Sequence, residues 1–211
     1  MLDFKIFNIP VRVEPWFWLT LAFLGGAMGL NSKEALIQVL FFVIAGFISV
    51  LVHELGHALT AKHFGHRVEI VLQAFGGYAA YQGGSHARKN TFLITAAGPA
   101  IQIALGLAAL AFAKQFDAMT PQTLYFLRVL YGISFVWAIL NLLPILPMDG
   151  GRMLETILGP RNIKTTLIIS IATAVGIGLL GLGMTGSILL PIFMGMFAYQ
   201  SYQRLQQLSW R

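Results

Sequence analysis

The run Leu36–Ala61, LIQVLFFVIAGFISVLVHELGHALTA, decides how this chain folds. A helix that crosses a bilayer needs about 20 mostly apolar residues, and this run supplies them. Its last third nevertheless holds His53, Glu54 and His57. An ionised group at mid-bilayer costs at least about 2.5–3.5 kcal/mol, so ionisable residues inside an apolar span point to function. Lys62, His63, His66 and Arg67 follow and mark where the helix leaves the lipid. At helical rise they lie about 8–14 Å beyond the motif.

The rest of the chain has the same character. Of 211 residues, 57% are hydrophobic and only 10% are charged, and mean hydropathy is +0.74. A soluble domain carries about 25% charged residues. Further apolar runs cover roughly Pro15–Leu30, Thr91–Ala113, Leu124–Leu143, Thr165–Met184 and Ser187–Tyr202. The expected fold is therefore an all-α integral membrane protein with about six transmembrane helices. Lys5 and Arg12 precede the first run, but no small-residue cleavage site follows it, so that run is taken as a membrane segment.

With six spans, eleven of the fourteen Lys and Arg fall on one side of the bilayer. That bias places both termini, and the end of the second span, in the cytoplasm. The net charge of +6 is spread over short loops. It reports topology, and no aromatic-interleaved basic patch suggests nucleic acid. Trp16, Trp18, Trp137 and Trp210 fall near span ends and suit an interfacial belt.

One stretch breaks the helical pattern. Val68–Tyr81, VEIVLQAFGGYAAY, is rich in β-branched and aromatic residues and is centred on Gly76-Gly77. It predicts a small β-hairpin with a Gly-Gly turn, as against an interfacial loop. At membrane depth such a hairpin needs protein or water to satisfy its edges.

The chemistry starts from His53-Glu54-Leu55-Gly56-His57. Residues four apart share a helix face, so both imidazoles can address one metal ion. Glu54 lies about 100° round, close enough to reach a water at the metal rather than the metal itself. Two ligands and a general base at this spacing are the pattern of zinc hydrolases. With five His and five Glu in the chain, chance would produce it in about 0.3% of sequences. There are no cysteines, which excludes thiolate metal sites. His63, His66 and His86 sit in charged loops and are expected at the surface.

A second motif ends the fourth span: Asn141-Leu142-Leu143-Pro144-Ile145-Leu146-Pro147-Met148-Asp149-Gly150-Gly151-Arg152. Pro144 and Pro147 cannot continue a helix, and Gly150-Gly151 allow a turn closed to other residues. A zinc with two His ligands needs a third protein ligand and an open position, and Asp149 fits that need. An ordinary Asp-Gly loop turn is the bland alternative. Even-span topology brings the second and fourth spans to the same membrane face. Asn141 could hydrogen-bond a substrate carbonyl or oxyanion, or pack two helices together.

These residues resemble the site-2 protease family of intramembrane zinc metalloproteases. His-Glu-Leu-Gly-His on one membrane helix and Asn-x-x-Pro-x-x-Pro-x-Asp-Gly-Gly on a later one are similar to its paired motifs. Ala96-Ala97-Gly98-Pro99-Ala100-Ile101-Gln102 resembles its Ala-Gly-Pro motif, with Gln102 where the family usually has Asn. The resemblance covers roughly Val11 to Leu158. It implies one Zn2+ per chain held by His53, His57 and Asp149, with Glu54 as base. It also implies that Phe75–Tyr81 belongs to a membrane-embedded hairpin near the substrate, so that Phe75, Gly76, Gly77, Tyr78 and Gln102 would touch it. Family members often carry a PDZ or CBS domain, and neither is expected here. Residues 1–211 read as a single transmembrane metalloprotease domain with a core at about 36–158. Expected partners are transmembrane protein substrates and the lipid bilayer, and the expected location is a prokaryotic cell membrane. A metal transporter, a zinc-stabilised scaffold and a lipid-directed hydrolase remain as rival readings. The oligomeric state is not legible.

Overall fold

The structure is a computed structural model, and it describes residues 1–85, 87–115, 120–185 and 188–209. The expectations for His86 and Trp210 lie outside the described residues. The chain divides into two compact units, one of Met1–His86 with Ala97–Ala138, the other of Ala87–Ala96 with Ile139–Arg211.

The first unit opens with two strands that the sequence reading took as a lead-in to the first span. They are β1 (Leu2–Ile6) and β2 (Ile9–Val13). Ile9, Val11 and Val13 are buried while Pro10 and Arg12 between them are exposed, the alternation of a half-buried strand. Phe7 and Asn8 join the strands with positive φ at both residues, as a tight hairpin requires. Helix α1 (Pro15–Leu24) follows with proline at its start, where the missing N–H costs nothing. At ten residues it is about 15 Å long, half the hydrocarbon thickness.

Helix α2 (Lys33–His63) carries the metal motif. Ser32 caps it by accepting from the Ala35 amide. Strands β3 (Arg67–Gln73) and β4 (Gly76–Gln82) form the expected hairpin. Its register pairs Gln73 with Gly76, so the turn is Ala74-Phe75 and not Gly76-Gly77. Phe75 itself takes the left-handed conformation, with φ 64°. The four strands form one sheet in the order β1-β2-β3-β4, with β2 and β3 parallel. One face of this sheet packs on α1 and α2 through Val11, Val13, Phe17, Leu21, Val50, Leu55, Ile70 and Leu72.

Helix α3 (Arg88–Gln115) and helix α4 (Pro121–Leu142) come next. Ala109 of α3 and Leu130 and Ile133 of α4 bury against Ala45 of α2. Helices α2 and α3 also approach closely at Gly56, where an added Cβ would stand 2.6 Å from the Ala97 carbonyl oxygen.

The second unit contains α5 (Asp149–Leu158), α6 (Ile163–Thr185) and α7 (Leu189–Ser209). Ala174 of α6 packs with Ile145, Met194 and Ala198. Among the described residues, four helices are long and apolar enough to cross a membrane, at Lys33–His63, Arg88–Gln115, Pro121–Leu142 and Pro160–Met184. This makes the chain a multi-pass membrane protein. The expected first span is the short α1, and the last is α7, whose C-terminal half, Tyr199–Gln207, is rich in Gln and other polar groups.

Candidate metal centre

His53, Glu54 and His57 are all buried on α2, with exposures of 5%, 4% and 8%. Helical spacing brings the two imidazoles edge to face, with ring centroids 4.7 Å apart. Their Nε2 atoms stand 3.0 Å apart. Two imidazole nitrogens on one tetrahedral zinc, at bonds of about 2.0–2.1 Å, would stand roughly 3.3 Å apart. The spacing and the nitrogen donors therefore suit the implied ion.

Residues of α3 and of β4 pack against this motif. On α3, Gly98 faces His57 so closely that a Cβ there would overlap the imidazole. The lack of a side chain at Gly98 is what leaves room for the ring. One turn on, Gln102 Oε1 lies 2.9 Å from Nδ1 of His53. Gln102, expected at the substrate, is fully buried. From the sheet, Gly77 of β4 backs onto Glu54, and a Cβ at Gly77 would stand 2.9 Å from Cγ of that residue. The hairpin therefore reaches the catalytic candidate, and Phe75 and Tyr78 beside it remain half exposed.

Ser49 and Ser134 were not anticipated. Both are buried, and each joins a hydrogen-bonded chain that leads through Gln102 to His53. The signal for Ser49 was present, since a serine four residues before His53 shares its helix face. His66, expected at the surface, is buried at 4%. It stacks edge-on against Tyr81, because the turn after α2 folds it under the hairpin.

In the second unit, Asn141 lies in the last turn of α4. Asp149 is not at the tip of a turn, as expected, but is the first residue of α5. Its glycines serve a different purpose from the one inferred. A Cβ at Gly150 would overlap the Leu142 and Leu143 carbonyls, and one at Gly151 would meet Ile145 and Leu146 backbone at 2.5 Å. The space, rather than a special φ, demands glycine. The approach to Asp149 is fixed by the Leu146 amide, which donates to Ser170 Oγ at 2.8 Å. Asp149 is 9% exposed. At the far end of α5, Arg88 donates to the Thr156 and Ile157 carbonyls at 2.6 and 2.7 Å.

Comparison with known proteins agrees with this chemistry. The sequence profile of the Peptidase M50B-like family matches residues 35–180. A zinc metalloprotease of Methanocaldococcus jannaschii is 30% identical over 203 residues, which cover 93% of this chain and 57% of that protein. Stage IV sporulation protein FB of Bacillus subtilis is 32% identical over 170 residues, covering 75% of this chain and 54% of that one. The chain thus spans little more than half the length of these relatives. The solved structure of a site-2 protease from Methanocaldococcus jannaschii aligns with a TM-score of 0.69 and 28% identity, covering 97% of this chain and 94% of that one.

Proposed function

Because this chain belongs to the Peptidase M50B-like family, we propose that it is an intramembrane zinc metalloprotease that hydrolyses peptide bonds in or near the transmembrane segments of other proteins, as in regulated intramembrane proteolysis. The observation that carries the reading is the pair of imidazole nitrogens 3.0 Å apart on an apolar helix, with a carboxylate at the next position. In this reading His53, His57 and Asp149 are the three residues that hold the ion, as the paired motifs imply. Zinc, when bound, supplies a Lewis acid that makes water nucleophilic near neutral pH.

The chain's own groups do the rest. Glu54 takes a proton from the attacking water as its oxygen adds to the scissile carbonyl carbon. Asn141 donates from its amide to the carbonyl oxygen as negative charge develops there. Glu54 then returns the proton to the amide nitrogen as the C–N bond breaks. A helical substrate shields its carbonyls with its own hydrogen bonds, so it unwinds locally before cleavage. The edge of β4 receives the extended segment by strand addition, with Phe75, Gly76, Gly77 and Tyr78 beside it. The position of β4 at the sheet edge and the packing of Gly77 on Glu54 support this. Six membrane crossings, with both termini and the active-site face in the cytoplasm of a prokaryote, complete the reading.

The test compares purified wild type with Glu54→Gln on a panel of single-span substrates, with bound zinc measured in both. Retained zinc with cleavage lost by at least about 10²-fold is expected. Equal cleavage by the two proteins would overturn the assignment.

A further inference from the structure

Gln102 lies at the centre of a buried polar chain that the reaction does not use directly. Its side chain and those of Ser49 and Ser134 have 0% exposure. They sit on three different helices, α3, α2 and α4. Gln102 Nε2 donates to Ser49 Oγ at 2.9 Å, and Ser134 Oγ donates to the same oxygen at 3.0 Å. Ser49 thereby fills both lone pairs of its hydroxyl.

We infer that Gln102 is a positioning residue that sets the tautomer and ring orientation of His53, and that Ser49 and Ser134 hold Gln102 in the pose that does so. The orientation of the amide follows from its neighbours. The backbone carbonyl of Ser49 also lies 3.5 Å from Nε2. A carbonyl only accepts, so the amide N–H groups face Ser49 and the amide oxygen faces His53. That oxygen accepts as well, so His53 Nδ1 carries the hydrogen of their 2.9 Å bond. A neutral imidazole protonated at Nδ1 keeps its lone pair at Nε2. Nε2 is the atom that meets His57. The ligand nitrogen is therefore selected before any metal arrives, and an apolar residue at 102 would leave a buried N–H without its acceptor.

This inference rests on the reading of His53 as a zinc ligand, and its test separates the two. Zinc dissociation constants are measured by chelator competition on the full chain in detergent. Nitrogen NMR of the histidine rings in the zinc-free protein reports the tautomer. Gln102→Met, of similar volume but without an acceptor, should weaken zinc binding by about 10–100-fold. It should leave KM unchanged at saturating zinc and release His53 from the Nδ1–H form. Gln102→Glu, which keeps the acceptor, should bind zinc within about threefold of wild type, and Ser134→Ala should fall between the two. Zinc affinity unchanged in Gln102→Met overturns the inference, as does a raised KM at unchanged affinity, which would make Gln102 a substrate contact. Should Gln102→Met not fold, the wild-type tautomer decides, and an Nε2–H ring at His53 overturns it. If His53→Ala binds zinc as tightly as wild type, the protease reading fails as well.

Discussion

Gly98 and His57 are in contact so close that no side chain fits between them: a Cβ on the glycine would overlap the imidazole. The glycine sits on α3 and the histidine on α2, so the ring plane of a proposed ligand is set by the absence of an atom on another helix. Gly98→Ala should turn His57 away from the direction of His53. Overpacking of this kind costs about 1–3 kcal/mol, which a well-folded bundle survives. The expected result is zinc affinity lowered by more than about tenfold, with helix content unchanged by circular dichroism. Full zinc occupancy at wild-type affinity would show that the ring has another place to go.

Gly77 stands to Glu54 as Gly98 does to His57, but with a different consequence. An added Cβ would meet Leu72 Cδ2 at 2.7 Å and Glu54 Cγ at 2.9 Å. Gly77→Ala should displace the base while leaving the imidazoles alone. A misplacement of about 1 Å can cost 10²-fold in rate. Cleavage should therefore fall by about that factor at unchanged zinc content, and single-turnover assays with metal analysis check both.

Strand addition at β4 makes a paired prediction. Along an antiparallel strand, successive N–H groups point alternately to the partner and away from it. Ala79→Pro and Ala80→Pro therefore remove one inward and one outward donor. The outward substitution should keep the fold and the zinc but lower cleavage, because proline blocks pairing by an incoming strand. If both variants cut at the wild-type rate, capture at this edge is excluded.

Arg88 holds the end of the helix that Asp149 begins. Its guanidinium meets two of the last carbonyls of α5, a favourable place for a cation. Gly159 follows with φ 78° and lies against the same guanidinium. Arg88→Met should destabilise α5 locally by about 1 kcal/mol. Faster hydrogen exchange across residues 152–158, with a smaller change at α6, is the expected reading.

Much of the site was legible because it is local. The i, i+4 spacing of His53 and His57 needs only helical geometry, and the run before them declares the helix. The hairpin was legible from its β-branched residues, but its turn was displaced by two positions. The rule that assigns positive φ to glycine pointed at Gly76-Gly77; Gly76 does take φ 156°, but Phe75 at φ 64° is the residue that closes the turn. Strands β1 and β2 went unseen although Ile9, Val11 and Val13 alternate correctly, since a basic segment before an apolar run reads as topology. Their place in the sheet depends on a parallel pairing across α1 and α2, which no local pattern encodes. At Gly98, Gly77 and Gly150 the sequence marked a residue without saying what lies opposite. Such contacts belong to the packing of distant segments.

Helix α2 can also be used as a depth gauge. From His57 to the exposed Lys62 is five residues, or about 7.5 Å along the axis, little more than twice the width of a water molecule. Hydrolysis consumes one water per bond cut, and the reactant that must travel far is therefore not the solvent. In the proposed reaction it is the greasy peptide, which would have to be drawn towards the charged end of α2, so turnover would be governed by how readily a segment leaves the lipid rather than by supply of the small nucleophile.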